Sequence, residues 1–249
     1  PVILLSSAGS VGITLQQGYK IGQFFGFRMM QSLDELNPVT GQRMIPAAQE
    51  GLYDVVEAVG RKWVVNKATR QSIALPGQYS FGDPNPKFNM SFINNLNYKN
   101  FITFNMQWDW IAGAHLYNQT KQWMYRDGIH SDYDKPVLIA GQSFAYTAFY
   151  RSIYAGGAAN GTKNYFYEDA SFVRLRNISV GIDLNKFAKV KAFTRLQLVL
   201  SGRNLVTFTP YSGMDPEVNF STNSAFDRGL DHNTIPNTKQ YTIGLNVGF

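Results

Sequence analysis

The stretch that decides the fold is TKQYTIGLNVGF, which runs from Thr238 to Phe249. Apolar residues occupy every second position, and polar residues or glycines fill the positions between them. Because side chains of a β-strand alternate between its two faces, this pattern predicts a strand with one apolar and one small, polar face. The apolar positions are Tyr241, Ile243, Leu245, Val247 and Phe249. Such a strand separates a protein core from water, or lipid from the polar lumen of a barrel.

Composition narrows the class of protein. The 249 residues contain no cysteine, which excludes disulfides and thiolate metal sites. No apolar run approaches the roughly 18–20 residues of a transmembrane helix, but alternation hides the lipid-facing residues of a barrel from a hydropathy window. The net charge of +6 is dispersed, so it does not indicate a nucleic-acid surface. Since the chain starts at Pro1 without a signal peptide, we expect a fragment or a mature C-terminal portion.

A second alternating block favours lipid over water. The segment FNMSF at 88–92 is followed by a tight connection at 98–100 and then by ITFNMQWDW at 102–110. Trp108 and Trp110 stand at the far end of this second stripe, as aromatic residues do at a membrane interface. On the opposite face, Asn105 and Gln107 are predicted to line a polar lumen. We therefore predict an all-β protein, a transmembrane antiparallel β-barrel.

The lengths of the connections predict the orientation of the barrel. Short connections at 98–100 and 185–192 alternate with long ones at 31–86, 113–164 and 209–237. Outer-membrane barrels have short periplasmic turns and long external loops, so the three long segments are expected outside the cell.

Two further segments carry specific expectations. Residues 11–15 and 25–29 alternate and predict two strands with a short connection. In the segment SFVRLRNISVGIDL, Arg174 and Arg176 fall on the apolar register. We expect that end of the strand to lie above the membrane or against a neighbouring loop.

Motifs along nearly the whole chain resemble the SusC/RagA family of TonB-dependent outer-membrane transporters. GYKIGQFFGF fits the family's upstream pattern, and the terminal strand ending on Phe249 looks like the C-terminal insertion signal of bacterial barrels. The motifs that carry the resemblance are GDPNPKFNMSF at 82–92, NYKNF at 97–101, YEDASFVRLRNISVGIDL at 167–184 and SGRNLVTFTPYSGMDPEVN at 201–219.

This resemblance implies a 22-stranded barrel that an N-terminal plug occludes, and a TonB box that draws energy from the TonB complex. Neither plug nor box is present here, so residues 1–249 are expected to be a C-terminal barrel segment. The resemblance also implies a SusD-like surface lipoprotein as partner, oligosaccharides or peptides as substrates, and the outer membrane of Bacteroidota-type bacteria as location. One departure is the segment before GDPNP, which lacks the acidic, glycine-rich stretch of many relatives.

Catalytic patterns are weak, and we expect no enzyme activity, no cofactor and no metal. The segment GQSFA at 141–145 lacks the final glycine of a nucleophile elbow. Asp215 and Glu217 flank Pro216, which favours a turn over a glycosidase pair. Loop carboxylates and histidines match no calcium or metal template, and we interpret the carboxylates as solvated. They are Asp127, Asp132 and Asp134, with His115, His130 and His232.

Binding chemistry is the more plausible function. Lumen amides and loop aromatics can hold sugar hydroxyls, stack on pyranose faces or grip a peptide backbone; the candidate positions are Asn105, Gln107, Trp123, Tyr125 and Tyr211. The same residues fit contact with the plug or packing inside loops. Two alternatives to an active importer stay open: a passive porin-like or structural barrel, and a soluble all-β carbohydrate-binding domain.

Overall fold

The computed structural model describes residues 2–8, 11–155, 164–188, 193–220 and 228–248. Phe249, the last residue of the predicted insertion signal, lies outside them. The strands are β1 (Val2–Ala8), β2 (Val11–Gln16), β3 (Phe25–Gly26), β4 (Tyr53–Ala58), β5 (Arg61–Asn66), β6 (Tyr79–Ser80), β7 (Phe88–Tyr98), β8 (Ile102–Ala112), β9 (His115–Asn118), β10 (Val137–Ile139), β11 (Gln142–Phe144), β12 (Tyr167–Asp169), β13 (Phe172–Asp183), β14 (Arg195–Phe208), β15 (Leu230–Asp231) and β16 (Gln240–Gly248).

Helices are few and short in the described part of the chain. The α-helices are α1 (Gln119–Asp127), α2 (Thr147–Ala155) and α3 (Asn185–Ala188), and 3-10 turns form at Ala47–Leu52, Ser131–Asp134 and Asn164–Phe166. None of these helices has the length and apolar character needed to cross a membrane.

The chain divides into two compact units. One, which we call the wall unit, comprises residues 85–114, 169–218 and 235–249. The other, which we call the loop unit, comprises residues 1–84, 115–168 and 219–234. Most residues of the three long predicted loops therefore fold together into one compact unit.

The wall unit contains one five-stranded antiparallel sheet in the order β16-β14-β13-β8-β7, which we call the wall sheet. Its strands confirm the predicted alternation, because the register brings apolar residues beside apolar ones and polar residues beside polar ones. One apolar row contains Leu96, Phe104, Val180, Leu200 and Ile243. The adjacent row on the other face contains Asn95, Asn105, Ser179, Ser201 and Thr242.

A β-bulge in β13 corrects the predicted register of the two arginines. Leu175 pairs with Trp108 and Asn177 pairs with Gln107, so Arg176 is an extra residue between them. One extra residue exchanges the two faces of the strand beyond it. Arg174 consequently pairs with Asp109 and belongs to the polar rows, whereas the uninterrupted alternation had placed it among the apolar ones.

The loop unit is built around an aromatic core. Trp63, Tyr117, Tyr125, Phe149 and Tyr150 are each at most 1% exposed. Rings pack edge to face, as between Trp63 and Phe149 with centroids 5.9 Å apart, and the indole N–H of Trp63 donates to the carbonyl of Ala58 at 2.8 Å. These segments, which sequence periodicity leaves undefined, have the buried core of a water-exposed domain.

The strand predicted at 25–29 differs in the structure. Only Phe25 and Gly26 form a strand there, paired with Tyr79 and Ser80, and Met29 makes an isolated bridge with Ala74. Residues 11–16 pair instead with β1. Phe25 and Met29 are buried in the loop unit, because their apolar side chains pack into its core.

Candidate functional site

The polar face of the wall sheet is the candidate functional surface. Its central rows carry amides and hydroxyls from neighbouring strands. The amide of Asn105 donates to the hydroxyl of Ser179 at 3.1 Å, and the amide of Gln107 donates to Asp109 at 2.9 Å. These hydrogen bonds fix the orientation of the two side chains that are predicted to line the lumen. Uncharged donors and acceptors of this kind suit neutral, hydrogen-bonding ligands.

Side chains of neighbouring strands come close together over Gly181 on this face. A Cβ added to Gly181 would lie 2.5 Å from the hydroxyl oxygen of Thr103 and 2.9 Å from the amide nitrogen of Gln197. Glycine at 181 therefore makes room for the polar side chains of the two neighbouring strands.

An ionic cluster closes one end of the polar face, and Arg174 lies at its centre. The Arg174 guanidinium donates to Asp215 Oδ1 at 2.5 Å, to Glu217 Oε2 at 2.7 Å and to Thr207 Oγ1 at 2.9 Å. Arg174 is 2% exposed and Asp215 is 3% exposed. A buried charge is tolerable only when it is paired and hydrogen-bonded, and this arrangement meets that requirement.

The bulged residue joins the same cluster. Arg176 donates to Asp109 at 2.7 Å, and its two terminal nitrogens donate to both oxygens of Glu217, at 2.7 and 2.9 Å. Glu217 thus bridges the two arginines in the charge-assisted geometry that guanidinium favours. This confirms the expectation that the arginine end of β13 lies against a neighbouring loop.

Backbone hydrogen bonds fix the loop that supplies the carboxylates. Asp215 Oδ1 accepts from the backbone N–H of Glu217 at 2.9 Å, and Oδ2 accepts from that of Asn237 at 2.9 Å. Burial raises the pKa of the Asp215 carboxyl, but hydrogen bonds from Arg174 and these N–H groups outweigh it, so its pKa lies below the ordinary value.

A cavity of about 250 Å³ lies beside this cluster, with Arg174, Asp215, Asn237 and Lys239 in its lining. Asp215 and Glu217 lie in a turn, and both form ion pairs with the arginines of β13. This confirms the interpretation as a turn over that as a glycosidase pair. Sequence reasoning missed the pairing itself. The sequence does contain two arginines in RLR at 174–176 and two carboxylates in DPE at 215–217. Their contact depends on the bulge, which the sequence does not reveal.

The candidate aromatic residues have different environments. Tyr125 is 0% exposed and donates to Asp132 at 2.5 Å, while Tyr211 is 5% exposed. Neither ring has a face open for stacking on a sugar, so the alternative of packing inside a loop applies to both. Trp123 is half-buried in the loop unit, with its ring edge to face with His232 at 4.4 Å. It belongs to a different unit from Asn105 and Gln107.

The predicted girdle residues contact other aromatic rings of the wall sheet. Trp108 stacks on Phe208 with centroids 6.5 Å apart, and Trp110 meets Phe88 edge to face at 5.1 Å. The described residues of the terminal stripe are open: Tyr241 is 77% exposed and Ile243 is 79% exposed, while Leu245 and Val247 are 58% and 40% exposed.

The loop carboxylates are not all solvated. Asp132 is 5% exposed and accepts hydrogen bonds from Tyr125 and Lys135, so its interpretation as a solvated carboxylate is wrong. It is buried because the aromatic core surrounds it. Asp127 is exposed and paired with Arg126 at 2.7 Å. Among the described residues, no group of three or more His, Asp or Glu side chains is placed to hold a metal ion.

The segment 141–145, which partly matches a nucleophile elbow, forms part of a β-hairpin instead. Ala140 and Gly141 form the left-handed turn of the hairpin between β10 and β11, and Ser143 lies in β11 opposite Leu138. A strand-to-helix turn, which a nucleophile elbow requires, is not formed there.

Comparison with known proteins gives sequence relatives over most of the chain, although no family model matches it. TonB-dependent receptor P3 of Formosa agariphila is 30% identical over 240 residues, which are 94% of this chain and 23% of the relative. TonB-dependent receptor P39 of the same organism is 35% identical over 92 residues, which are 36% of this chain and 9% of the relative. These relatives are named as receptors and not as enzymes, in agreement with the prediction of no enzyme activity.

Solved structures share the fold. The RagAB peptide transporter matches with a TM-score of 0.53 at 18% identity, over 96% of this chain and 26% of that chain. The RagAB peptide importer in its open-open state matches with a TM-score of 0.51 at 16% identity, over 96% of this chain and 25% of that one. This chain therefore spans about a quarter of the length of these proteins.

Proposed function

We propose that this chain, which belongs to the TonB-dependent receptor family, forms part of the barrel wall and external loops of an active nutrient importer. In this proposal residues 1–249 are a C-terminal barrel segment, and the plug and TonB box belong to the rest of the protein. The importer resides in the outer membrane of a Bacteroidota-type bacterium.

The observation that carries this proposal is the exposure of the wall sheet's apolar rows. Leu96, Ile243 and Leu245 are each more than half exposed, on a sheet whose opposite face is polar and hydrogen-bonded. A soluble sheet buries its apolar face against a second layer, whereas a barrel wall turns that face to lipid. The relatives and the fold support the lipid assignment.

The substrate and partner follow from the proposed activity. Asn105 and Gln107 offer neutral donors and acceptors to a passing ligand, which suits oligosaccharides or peptides. A SusD-like surface lipoprotein would cover the loops, and the TonB complex would supply energy. We further propose Trp108 and Trp110 as part of the interfacial girdle, and the stripe from Tyr241 to Phe249 as the insertion signal.

A labelling experiment tests the placement in the membrane. The chain has no cysteine, so single cysteines can be introduced one at a time into the full-length protein, with any cysteines elsewhere replaced. A membrane-impermeant maleimide should label Val39→Cys on intact cells, because Val39 is 78% exposed in a long loop. Lys99→Cys, in the short turn, should react only after the outer membrane is permeabilised. Labelling of Lys99→Cys on intact cells would contradict the proposed orientation.

An uptake experiment tests active import. A strain that lacks the gene should lose growth on either a defined oligosaccharide mixture or a defined peptide mixture, and the full-length gene should restore it. Collapse of the proton gradient should stop uptake of the fluorescently labelled form of the active mixture. Uptake that continues without the gradient would favour the passive porin-like alternative.

A further inference from the structure

A groove of about 450 Å³ interrupts the apolar face of the wall sheet. It crosses β13, β14 and β16, and its apolar lining includes Ile178, Val180, Leu200, Gly202, Tyr241 and Ile243. The register explains its position, because Gly202 lies in the same row as Ile178 and Tyr241 but has no side chain. The space directly over Gly202 is filled by Leu205, and the groove is the part of this apolar surface that Leu205 leaves open.

The bulge shapes one end of this groove. Beyond Gly202 the register of β14 against β13 shifts, so that Val206 pairs with Leu175. Leu205 lies in this irregular segment and folds back over Gly202, where an added Cβ would lie 2.6 Å from Leu205 Cδ1. Leu205 therefore forms an apolar rim of the groove, and Tyr241 and Ile243 line it with side chains that are 77% and 79% exposed.

We propose that this groove binds one acyl chain of a membrane phospholipid. The proposal rests on the proposed function, since it requires the apolar rows to face lipid. The groove is continuous with that lipid-facing surface, so hydrocarbon is the material that reaches it. Its lining contains no charged residue, which matches an acyl chain and provides nothing to hold a headgroup with several phosphates. Its volume lies in the usual range of ligand pockets, about 300–1,000 Å³.

The acyl chain would lie against Leu200 and Leu205, with Ile178 and Val180 on one side and Tyr241 and Ile243 on the other. Each methylene that is packed there removes the voids that a fluid lipid leaves over an uneven surface. A lipid held in this way exchanges more slowly than the lipids around the smooth part of the wall.

The test compares two matched substitutions in the full-length protein. Leu200→Trp places an indole in the groove. Leu198→Trp makes the same change one row away on the same face of β14, outside the groove lining. Both proteins are purified in mild detergent, delipidated, and titrated with palmitoyl-oleoyl phosphatidylethanolamine while bound lipids are counted by native mass spectrometry.

We expect the wild type and Leu198→Trp to retain one tightly bound lipid, and Leu200→Trp to bind it about tenfold more weakly, the effect of losing one to two buried methylenes. Equal retention by the two variants would overturn the proposal. A wild-type dimer without bound lipid that Leu200→Trp dissociates would also overturn it, because the groove would then hold a second copy. The cysteine labelling reports separately on membrane placement, so a failure of the groove proposal alone is distinguished from a failure of the proposed function, which would remove both.

Discussion

The wall sheet and the loop unit use similar residues in opposite ways. In the wall sheet, large apolar side chains are exposed, and Tyr241 and Ile243 are more than three-quarters exposed. In the loop unit, Trp63, Tyr125 and Tyr150 are at most 1% exposed. In the proposed function the apolar rows of the wall sheet face lipid, whereas the loop unit has an ordinary buried core.

This difference teaches that the long connections between strands of a sheet can form a folded unit in their own right. The loop unit has its own aromatic core and buried carboxylates, among them Asp132. The wall sheet is held by backbone ladders and by the arginine cluster. The same substitution should consequently have different effects in the two regions.

The largest effect is expected from the core of the loop unit. Trp63→Ala removes a ring that packs against Phe149 and Tyr165, and it should destabilise the loop unit by about 3–5 kcal/mol. Protease cleavage within the loop unit of the detergent-solubilised full-length protein measures this. Leu138→Ala, at a position that is 61% exposed, is the control and should change stability by at most about 0.5 kcal/mol. Unchanged cleavage of Trp63→Ala would remove the argument for a folded loop domain.

The next largest effect is expected from the ionic cluster that joins Arg174 of the wall sheet to the carboxylates of the turn. Asp215→Ala leaves the buried Arg174 without its closest partner, and loss of one member of a buried pair costs about 3–5 kcal/mol. Glu217 still contacts Arg174, so the lower end of that range is expected. Denaturant unfolding of the full-length protein measures the loss. Arg126→Ala breaks an exposed pair and should give no measurable change; equal losses in both variants would contradict the role of the cluster.

A charge on the outward face of the wall sheet tests its medium. Leu245→Arg should reduce the free energy of folding into lipid vesicles by about 2–4 kcal/mol, as for cations at the membrane midplane of a barrel. Val39→Arg, at an exposed position of the loop unit, should change it by at most about 0.5 kcal/mol. If both changes were equally mild, the apolar rows would not face lipid.

The smallest effect at ordinary pH is an acid sensitivity of the turn. The pKa of Asp215 is lower in the folded protein than in the unfolded one, so its stabilising contribution is complete above the unfolded value. This contribution is lost as the pH falls below about 4 towards the folded pKa. Protease cleavage between residues 209 and 219 should therefore increase from pH 5 to pH 3. Asp215→Asn should be more easily cleaved at pH 5 and show a weaker further change.

Particular residues show how far the sequence could predict the site. Alternation alone places Asn105 and Gln107 on the polar face, and the register confirms that face. The pairing of Arg174 with Asp215 could not be predicted, because one inserted residue in β13 reverses the face of everything beyond it. The burial of Tyr125 and Tyr211 could not be predicted, since exposure of a loop residue depends on contacts that carry no periodic signal.

The sequence by itself determined the alternating segments of the wall at 88–92, 102–110, 177–184 and 240–248, and the short connections at 98–100 and 185–192. It did so because alternation along a strand is a local property with a fixed period of two. Only the tertiary structure decided that the long connections share an aromatic core and that a bulge brings two arginines into contact with two carboxylates. It also decided that Leu205 packs over Gly202 beside an apolar groove. Each of these depends on residues far apart in the chain, whose contacts no local pattern records.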